Sequence, residues 1–297
     1  MIDLFLASDI PGPLEAMLSE RFHLVRGTPT PTVRAIVGGG MSKVDAGMIA
    51  RMPALEIIAI HGVGHDGIDM DAARKAGVKV TLTPDVLTDD VADLAIGLML
   101  AVQRRIVFND RAVRDGGWGV PLARRASGRR IGLFGMGSIG QAIARRAAPF
   151  ASEIIYTSRT EKTDLPYRFL PILAEVATGC EVLIVAAAGG PDTAGAIGAD
   201  ILDRLGPDGI LINIARGSIV DEDALIAALT DRRIRGAGLD VFAHEPHVPE
   251  AFKSLDSIVL QSHQGSATVE TRAAMAALVM ANLDAQFGGV PANPVNN

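Results

Sequence analysis

Short apolar runs alternate with segments of helical spacing along the first third of the chain. Residues 2–7 predict a strand and 13–21 a helix with a proline near its start. Residues 35–37 predict a strand running into Gly38-Gly39-Gly40, and 44–51 a helix. A strand over 56–60, a short helix over 71–76 closed by Gly77, and a strand over 78–81 complete the series. Strands alternating with helices predict parallel βα units. The pattern then changes. Thr88 reads as an N-cap, with Asp89, Asp90 and Asp93 in the first turns, where the helix dipole favours negative charge. From 91 to 102 the segment is apolar nearly all round, which predicts a helix buried on several sides, between domains or subunits. Its pattern runs past Arg104 and Arg105 toward Arg114, and Gly116-Gly117 stops it. A second βα series follows, with strands over 130–134, 153–157, 181–186, 209–214, 236–241 and 257–260. Its helices fall over 139–148, 200–205, 221–230 and 269–287, and the polar tail 288–297 reads as a surface terminus.

Composition narrows the classes. The chain has 297 residues, which favours two domains over one. It is 48% hydrophobic and 21% charged, a globular profile far from that of a disordered chain. A formal net charge of −6 argues against general nucleic-acid binding, which needs clustered cations, and so does the single Trp. The lone Cys180 excludes an internal disulfide and a thiolate metal cluster. Residues 1–7 lack a basic region and carry Asp3, so no secretory signal is read, and 91–102 is too short to span a bilayer. The expectation is a cytoplasmic protein with no membrane and no nucleic-acid partner.

Gly135-Met136-Gly137-Ser138-Ile139-Gly140 is a G-x-G-x-x-G placed after a predicted strand and opening a predicted helix, the context of a dinucleotide site. Gly135 allows the tight turn, Gly137 leaves room for a pyrophosphate, and Gly140 lets helix and strand pack closely. The alternative is a glycine-rich turn with no ligand. The next strand ends in Ser158-Arg159-Thr160, where an NAD enzyme usually carries an acid for the ribose 2′-hydroxyl. An arginine between two hydroxyls suits a 2′-phosphate instead, through charge-assisted hydrogen bonds. NADPH is therefore the expected cofactor, with an ordinary solvated arginine as the alternative. Further on, Arg216, Glu245 and His263 each follow a predicted strand. In a doubly wound sheet those carboxyl ends face the ligand crevice.

At this point the chain resembles the D-isomer-specific 2-hydroxyacid dehydrogenase family over essentially its whole length. The motifs are Gly-Val-Gly-His-Asp-Gly-Ile-Asp at 62–69, the glycine fingerprint, 213–218, 238–246 and 263–268. Residues 84–93 and the Ser-Arg-Thr tripeptide look most like its NADPH-using glyoxylate/hydroxypyruvate reductase branch, which includes the plant-type hydroxyphenylpyruvate reductases.

The resemblance implies two Rossmann-like or flavodoxin-like doubly wound α/β domains with the active site in the cleft between them. It puts 1–98 with 268–297 in a discontinuous substrate domain and 99–267 in the dinucleotide domain. It implies a small 2-oxo acid as substrate and a homodimer as the assembly. His263 would be the general acid, Glu245 would orient it and favour its protonated form, and Arg216 would bind the substrate carboxylate and polarise its carbonyl. The amides of Val63 and Gly64 would hold the carboxylate. Thr88 would lie near the nicotinamide and Asp240 near its carboxamide. Met136, Ser138, Ile139, Ile214, Ala215, Arg216, His263 and Gly265 complete the implied cofactor contacts.

The chain departs from the family at Ser262, where a proline is frequent, at Gln264, and at Ser138, where many relatives carry arginine. Two substrate readings stay open: glyoxylate or hydroxypyruvate, or a bulkier acid such as hydroxyphenylpyruvate, 2-ketogluconate or phenylglyoxylate. A rival from another class is a nucleotide-sensing binding protein of the corepressor type, which shares this fold. His244 and His247 read as surface histidines with no metal, and Arg124, Arg125, Arg129 and Arg130 as a solvated face. Trp118 either packs locally or reaches a partner subunit.

Overall fold

The computed structural model describes residues 1–119 and 121–288; the tail read as a surface terminus lies, from 289 on, outside the described residues. The chain divides into two units, Met1–Leu87 with Ala267–Asn297, and Thr88–Ser266. The first begins β1 (Ile2–Leu6), α1 (Gly12–Ser19), β2 (Phe22–Val25), β3 (Ala35–Gly39) and α2 (Ala46–Ala50). It continues with β4 (Ile57–His61), α3 (Met70–Lys75) and β5 (Lys79–Thr81). The second unit opens with α4 (Thr88–Gln103), α5 (Ile106–Arg114), β6 (Arg129–Phe134), α6 (Ser138–Ala147), β7 (Ala151–Thr157) and β8 (Arg168–Phe169). Then come α7 (Leu173–Gly179), β9 (Val182–Val185), α8 (Ala199–Leu205), β10 (Ile210–Asn213), α9 (Glu222–Thr230), β11 (Gly236–Leu239), α10 (Glu250–Lys253) and β12 (Ile258–Leu260). The last helix, α11 (Val269–Phe287), returns to the first unit.

In the first unit the strands run parallel in the order β2-β1-β3-β4-β5. β4 is buried at every position because helices cover both faces, so its sequence is a continuous apolar run ending at His61. One face packs under α1 and α11: Leu14, Leu18, Val279, Met280 and Leu283 meet Leu4, Val37 and Ile57. The other carries Ile36, Ile58, Ile60 and Val80 against Ile49, Met52 and Ala73.

The second unit has parallel strands in the order β12-β11-β10-β9-β6-β7-β8. The order reverses between β6 and β9, the switch point at which such sheets bind ligands beyond their carboxyl ends. The sequence reading set the first boundary after residue 98, inside α4. The structure gives the whole of α4 to this unit, where it packs on α6, β10, β11 and β12. Glycines make that approach possible: a Cβ on Gly238 would stand 3.1 Å from Leu98 Cβ, and one on Gly236 2.9 Å from Val102 Cγ1. This close seat buries Val91, Ala92, Ala95, Leu98, Met99 and Val102, and accounts for the broad apolar pattern.

Some elements differ from expectation. Thr88 is the first helical residue of α4 rather than a residue outside it. The long helix does not continue to Arg114: Arg105 takes a left-handed conformation, φ 52°, and α5 starts anew. No glycine or proline marks that break. β2, β8, α7 and α10 went unread because they are short and carry polar residues. Among the described residues, no helix is long and apolar enough to cross a membrane.

Candidate active site

The glycine turn at the end of β6 divides into three physical roles. Gly135 has φ +106°, and a Cβ on it would lie 2.5 Å from Ala187 N, so the turn presses against the chain leaving β9. A Cβ on Gly140 would lie 2.2 Å from Gly135 O, so α6 can start this close to the turn only with glycine there. Gly137 is different. It precedes α6 with extended backbone, and a Cβ on it would meet no protein atom within 4 Å. The amides of Ser138 and Ile139, in the first turn of α6, find no acceptor among the described residues. A free helix N-terminus beside open space fits the pyrophosphate of a dinucleotide.

The loop after β7 is firmly built. Gly135 N donates to Thr157 O at 2.9 Å, Lys162 N donates to the buried Tyr156 hydroxyl at 2.7 Å, and Ser158 Oγ donates to Thr160 O at 2.6 Å. Arg159 and Thr160 are exposed, and Arg159 has no ion pair among the described residues. An unengaged guanidinium beyond the carboxyl end of the strand beside β6 fits an added phosphate.

At the end of β10, Asn213 is almost wholly buried and shapes the turn that presents Arg216. Its Nδ2 donates to Arg216 O at 2.9 Å, and its Oδ1 accepts from Ala215 N at 3.1 Å. Gly217 lets that turn touch the next one, since a Cβ on it would lie 1.9 Å from the carbonyl carbon of Phe242. Within the 242–245 turn, Phe242 N donates to Glu245 Oε1 at 3.0 Å, and Glu222 Oε1 accepts from Ala243 N at 2.9 Å.

Glu245 Oε2 then meets His263 Nδ1 at 2.7 Å. Burial pushes the Glu245 carboxyl up, but His263, the Phe242 amide and the nearby Arg216 charge outweigh it and hold it below its ordinary range. Glu245 is 15% exposed and His263 36%. The dyad is thus buried at its carboxylate end and open at its imidazole end, as a proton donor requires. Arg216 is half-buried, and its Nη1 donates to Ala215 O at 2.7 Å.

Asp240 follows β11 and is 1% exposed. Its carboxylate accepts from Gln264 N at 2.6 Å and Gly265 N at 2.9 Å, just after His263. Ile214 and Ala215 are buried in the turn after β10, and Thr88 is half-buried at the start of α4.

In the first unit, β4 leads into the loop holding Val63 and Gly64. Both are half-buried, and neither amide has an acceptor among the described residues. The loop is braced from below: Thr83 N donates to Gly62 O at 2.9 Å, and Gly67 packs where a Cβ would lie 2.3 Å from Ser42 O. His61 is buried at its base. Burial first, then the charge of Arg272, pushes its imidazole down. His65 is exposed, with Nδ1 3.4 Å from Val63 O.

Sequence reasoning marked Arg216, Glu245 and His263 and placed Asn213 and Gly217 inside the 213–218 motif, but gave neither of these, nor Glu222, a role of its own. Asn213, Gly217 and Glu222 carry no charge pattern or periodicity that separates them from ordinary turn residues. Only a fixed spacing from Arg216 could have found the first two. Of the basic residues at and before the start of β6, Arg124 pairs with Asp208, and Arg129 and Arg130 pair with Glu181.

Residues 96–265 match the model of the D-isomer specific 2-hydroxyacid dehydrogenase NAD binding domain. The chain belongs to that family. The matched segment of this dehydrogenase contains the glycine turn, Arg159, Arg216, Asp240, Glu245 and His263. The dehydrogenase is 49% identical over 260 residues to the 2-ketogluconate reductase of Gluconobacter oxydans, covering 86% of this chain and 84% of that one. It is 46% identical over 290 residues to a glyoxylate/hydroxypyruvate reductase of Arabidopsis thaliana, covering 93% of each. It superposes on the crystal structure of the NADPH-dependent glyoxylate/hydroxypyruvate reductase of Sinorhizobium meliloti in complex with NADP and malonate. The TM-score is 0.93 and the identity 41%, over 98% of this chain and 95% of that one.

Proposed function

We propose that this dehydrogenase reduces a small 2-oxo acid, with glyoxylate and hydroxypyruvate first, to the D-2-hydroxy acid at the expense of NADPH. The observation that carries the reading is the Glu245–His263 contact at 2.7 Å, with the carboxylate buried and the ring open. When bound, the reduced nicotinamide supplies a hydride to the carbonyl carbon. His263 donates the proton from Nε2 to the carbonyl oxygen, so the C=O bond becomes CH–OH. Glu245 fixes the ring through Nδ1 and offsets the imidazolium charge before transfer. Arg216, a permanent planar donor, holds the substrate carboxylate and draws charge toward the carbonyl oxygen. In the first unit, the amides of Val63 and Gly64, which have no acceptor among the described residues, are suited to bind a carboxylate. The names of the relatives support this substrate class and also its bulkier form, 2-ketogluconate.

Arg216→Ala tests the assignment. It should leave NADPH affinity within a few-fold while removing turnover by about 10²-fold or more, the scale of a lost transition-state donor. Undiminished turnover would remove Arg216 from the chemistry.

A homodimer belongs to the same reading. α5 has no buried residue, and Ile106 and Val113 on it are 52% and 54% exposed. Trp118 and Leu122, in the arm that follows, are 92% and 98% exposed. Apolar side chains grouped this way fit a second copy of the chain better than water.

A further inference from the structure

His263 has φ +58°, a left-handed conformation that a side chain with a Cβ takes only when its surroundings enforce it. Glu245 grips the ring but does nothing to the backbone. The enforcement comes from Asp240. Its own amide donates to Asn213 O at 2.9 Å, which ties it to the end of β10. Its carbonyl accepts from His263 N at 2.8 Å. Its two carboxylate oxygens take the next two amides, Gln264 N at 2.6 Å and Gly265 N at 2.9 Å. Three consecutive amides thus converge on one buried residue. Gly265 is part of the fit: a Cβ there would stand 3.1 Å from Asp240 Oδ2 and 3.3 Å from Val91 Cγ2.

We propose that Asp240 is a positioning residue for proton transfer: its carboxylate holds the 263–265 turn left-handed and so aims the His263 ring at Glu245. This rests on the proposed role of His263 as proton donor. It differs from a contact with the nicotinamide carboxamide because it operates with no cofactor bound.

The cost of keeping Asp240 there argues for such a task. Burial pushes its carboxyl up, and the Gln264 and Gly265 amides and the charge of His263 only partly offset this, with Glu245 adding repulsion. The charged groups around the turn are then Asp240, Glu245, His263 and Arg216, the last acting on Glu245. Among the described residues no cation on β11 or β12 answers Asp240, and a buried acid so partly compensated is expensive unless its hydrogen bonds are needed.

Asp240→Asn keeps the size and one acceptor but turns an NH2 group toward an amide N–H. Expected are a fall in kcat of about 10²-fold, the scale of a slightly misplaced catalytic group, with NADPH affinity changed by less than threefold. In the cofactor-free protein, the imidazole NMR signals of His263 should shift and broaden against wild type. Unchanged His263 signals, with the loss appearing as weaker NADPH binding, would overturn the proposal and return Asp240 to the cofactor.

A second measurement needs no variant. In cofactor-free wild type, the Gln264 and Gly265 amides should be protected from hydrogen exchange; exchange at the rate of an open loop would contradict the proposal. Neither NMR readout depends on turnover. Failure of the substrate reading would show instead as wild-type protein inactive on every 2-oxo acid.

Discussion

The carboxylate of Glu245 is where one side chain links stability and chemistry. Its folded value lies below its ordinary one, so it binds fewer protons folded than unfolded at mildly acid pH. The stability it contributes is therefore present above the ordinary glutamate range and is lost as pH falls through its depressed value. Glu245→Gln removes that charge while keeping the shape. The variant should lose less stability than wild type on acidification, and its kcat/KM should fall by about 10²-fold, the scale of a loosened catalytic group. Thermal melts from pH 7 to pH 4 check the first effect and initial rates the second. Cys180 stands at the other extreme. Burial pushes its thiol up to about 12, so it stays protonated and serves as core between β6 and α7.

At the scale of elements, the β6–turn–α6 unit separates glycines that the fold requires from the one proposed to meet the cofactor. A Cβ on Gly140 would run into the Gly135 carbonyl, 2.2 Å from its oxygen and 3.0 Å from its carbon, so Gly140→Ala should cost about 1–3 kcal/mol and lower the melting temperature. A Cβ on Gly137 enters open space, so Gly137→Ala should stay within about 1 kcal/mol of wild type. Its NADPH affinity should nevertheless drop sharply, because the added methyl group occupies the pyrophosphate approach. Calorimetry and fluorescence titration separate the two effects. Equal melting loss in both variants would show that Gly137 is merely structural.

This element was the most legible part of the sequence, since strand, glycine spacing and helix all carry local signals. The supports of Arg216 and His263 were not. Asn213, Gly217 and Asp240 act through backbone atoms of turns that lie apart in sequence, and no periodicity records that. The α4–α5 break was equally hidden, because a left-handed Arg105 looks like any arginine in a helical pattern.

For the whole molecule, each unit carries its own parallel sheet, and α11 closes the core of the first from the far end of the chain. The alternation of strands and helices made both sheets readable, while the first boundary was misplaced because α4 gives no local sign of which sheet it covers. α5 and the segment after it leave Ile106, Val113, Trp118 and Leu122 exposed on the single chain. Light scattering should report a dimer near 62 kDa, twice the 31.1 kDa chain, and Ile106→Glu with Val113→Glu should convert it to monomer. A wild-type monomer would show that this face has another purpose.

The central claim is tested most directly by initial rates with NADPH and with NADH. The substrates would be glyoxylate, hydroxypyruvate, 4-hydroxyphenylpyruvate, 2-ketogluconate and phenylglyoxylate. Turnover of at least one acid, with NADPH clearly preferred, is the predicted result, and Arg159→Asp should reverse that preference. Equal use of NADH by wild type would contradict the role given to Arg159. No turnover of any acid by folded protein that binds NADPH would contradict the proposed function itself.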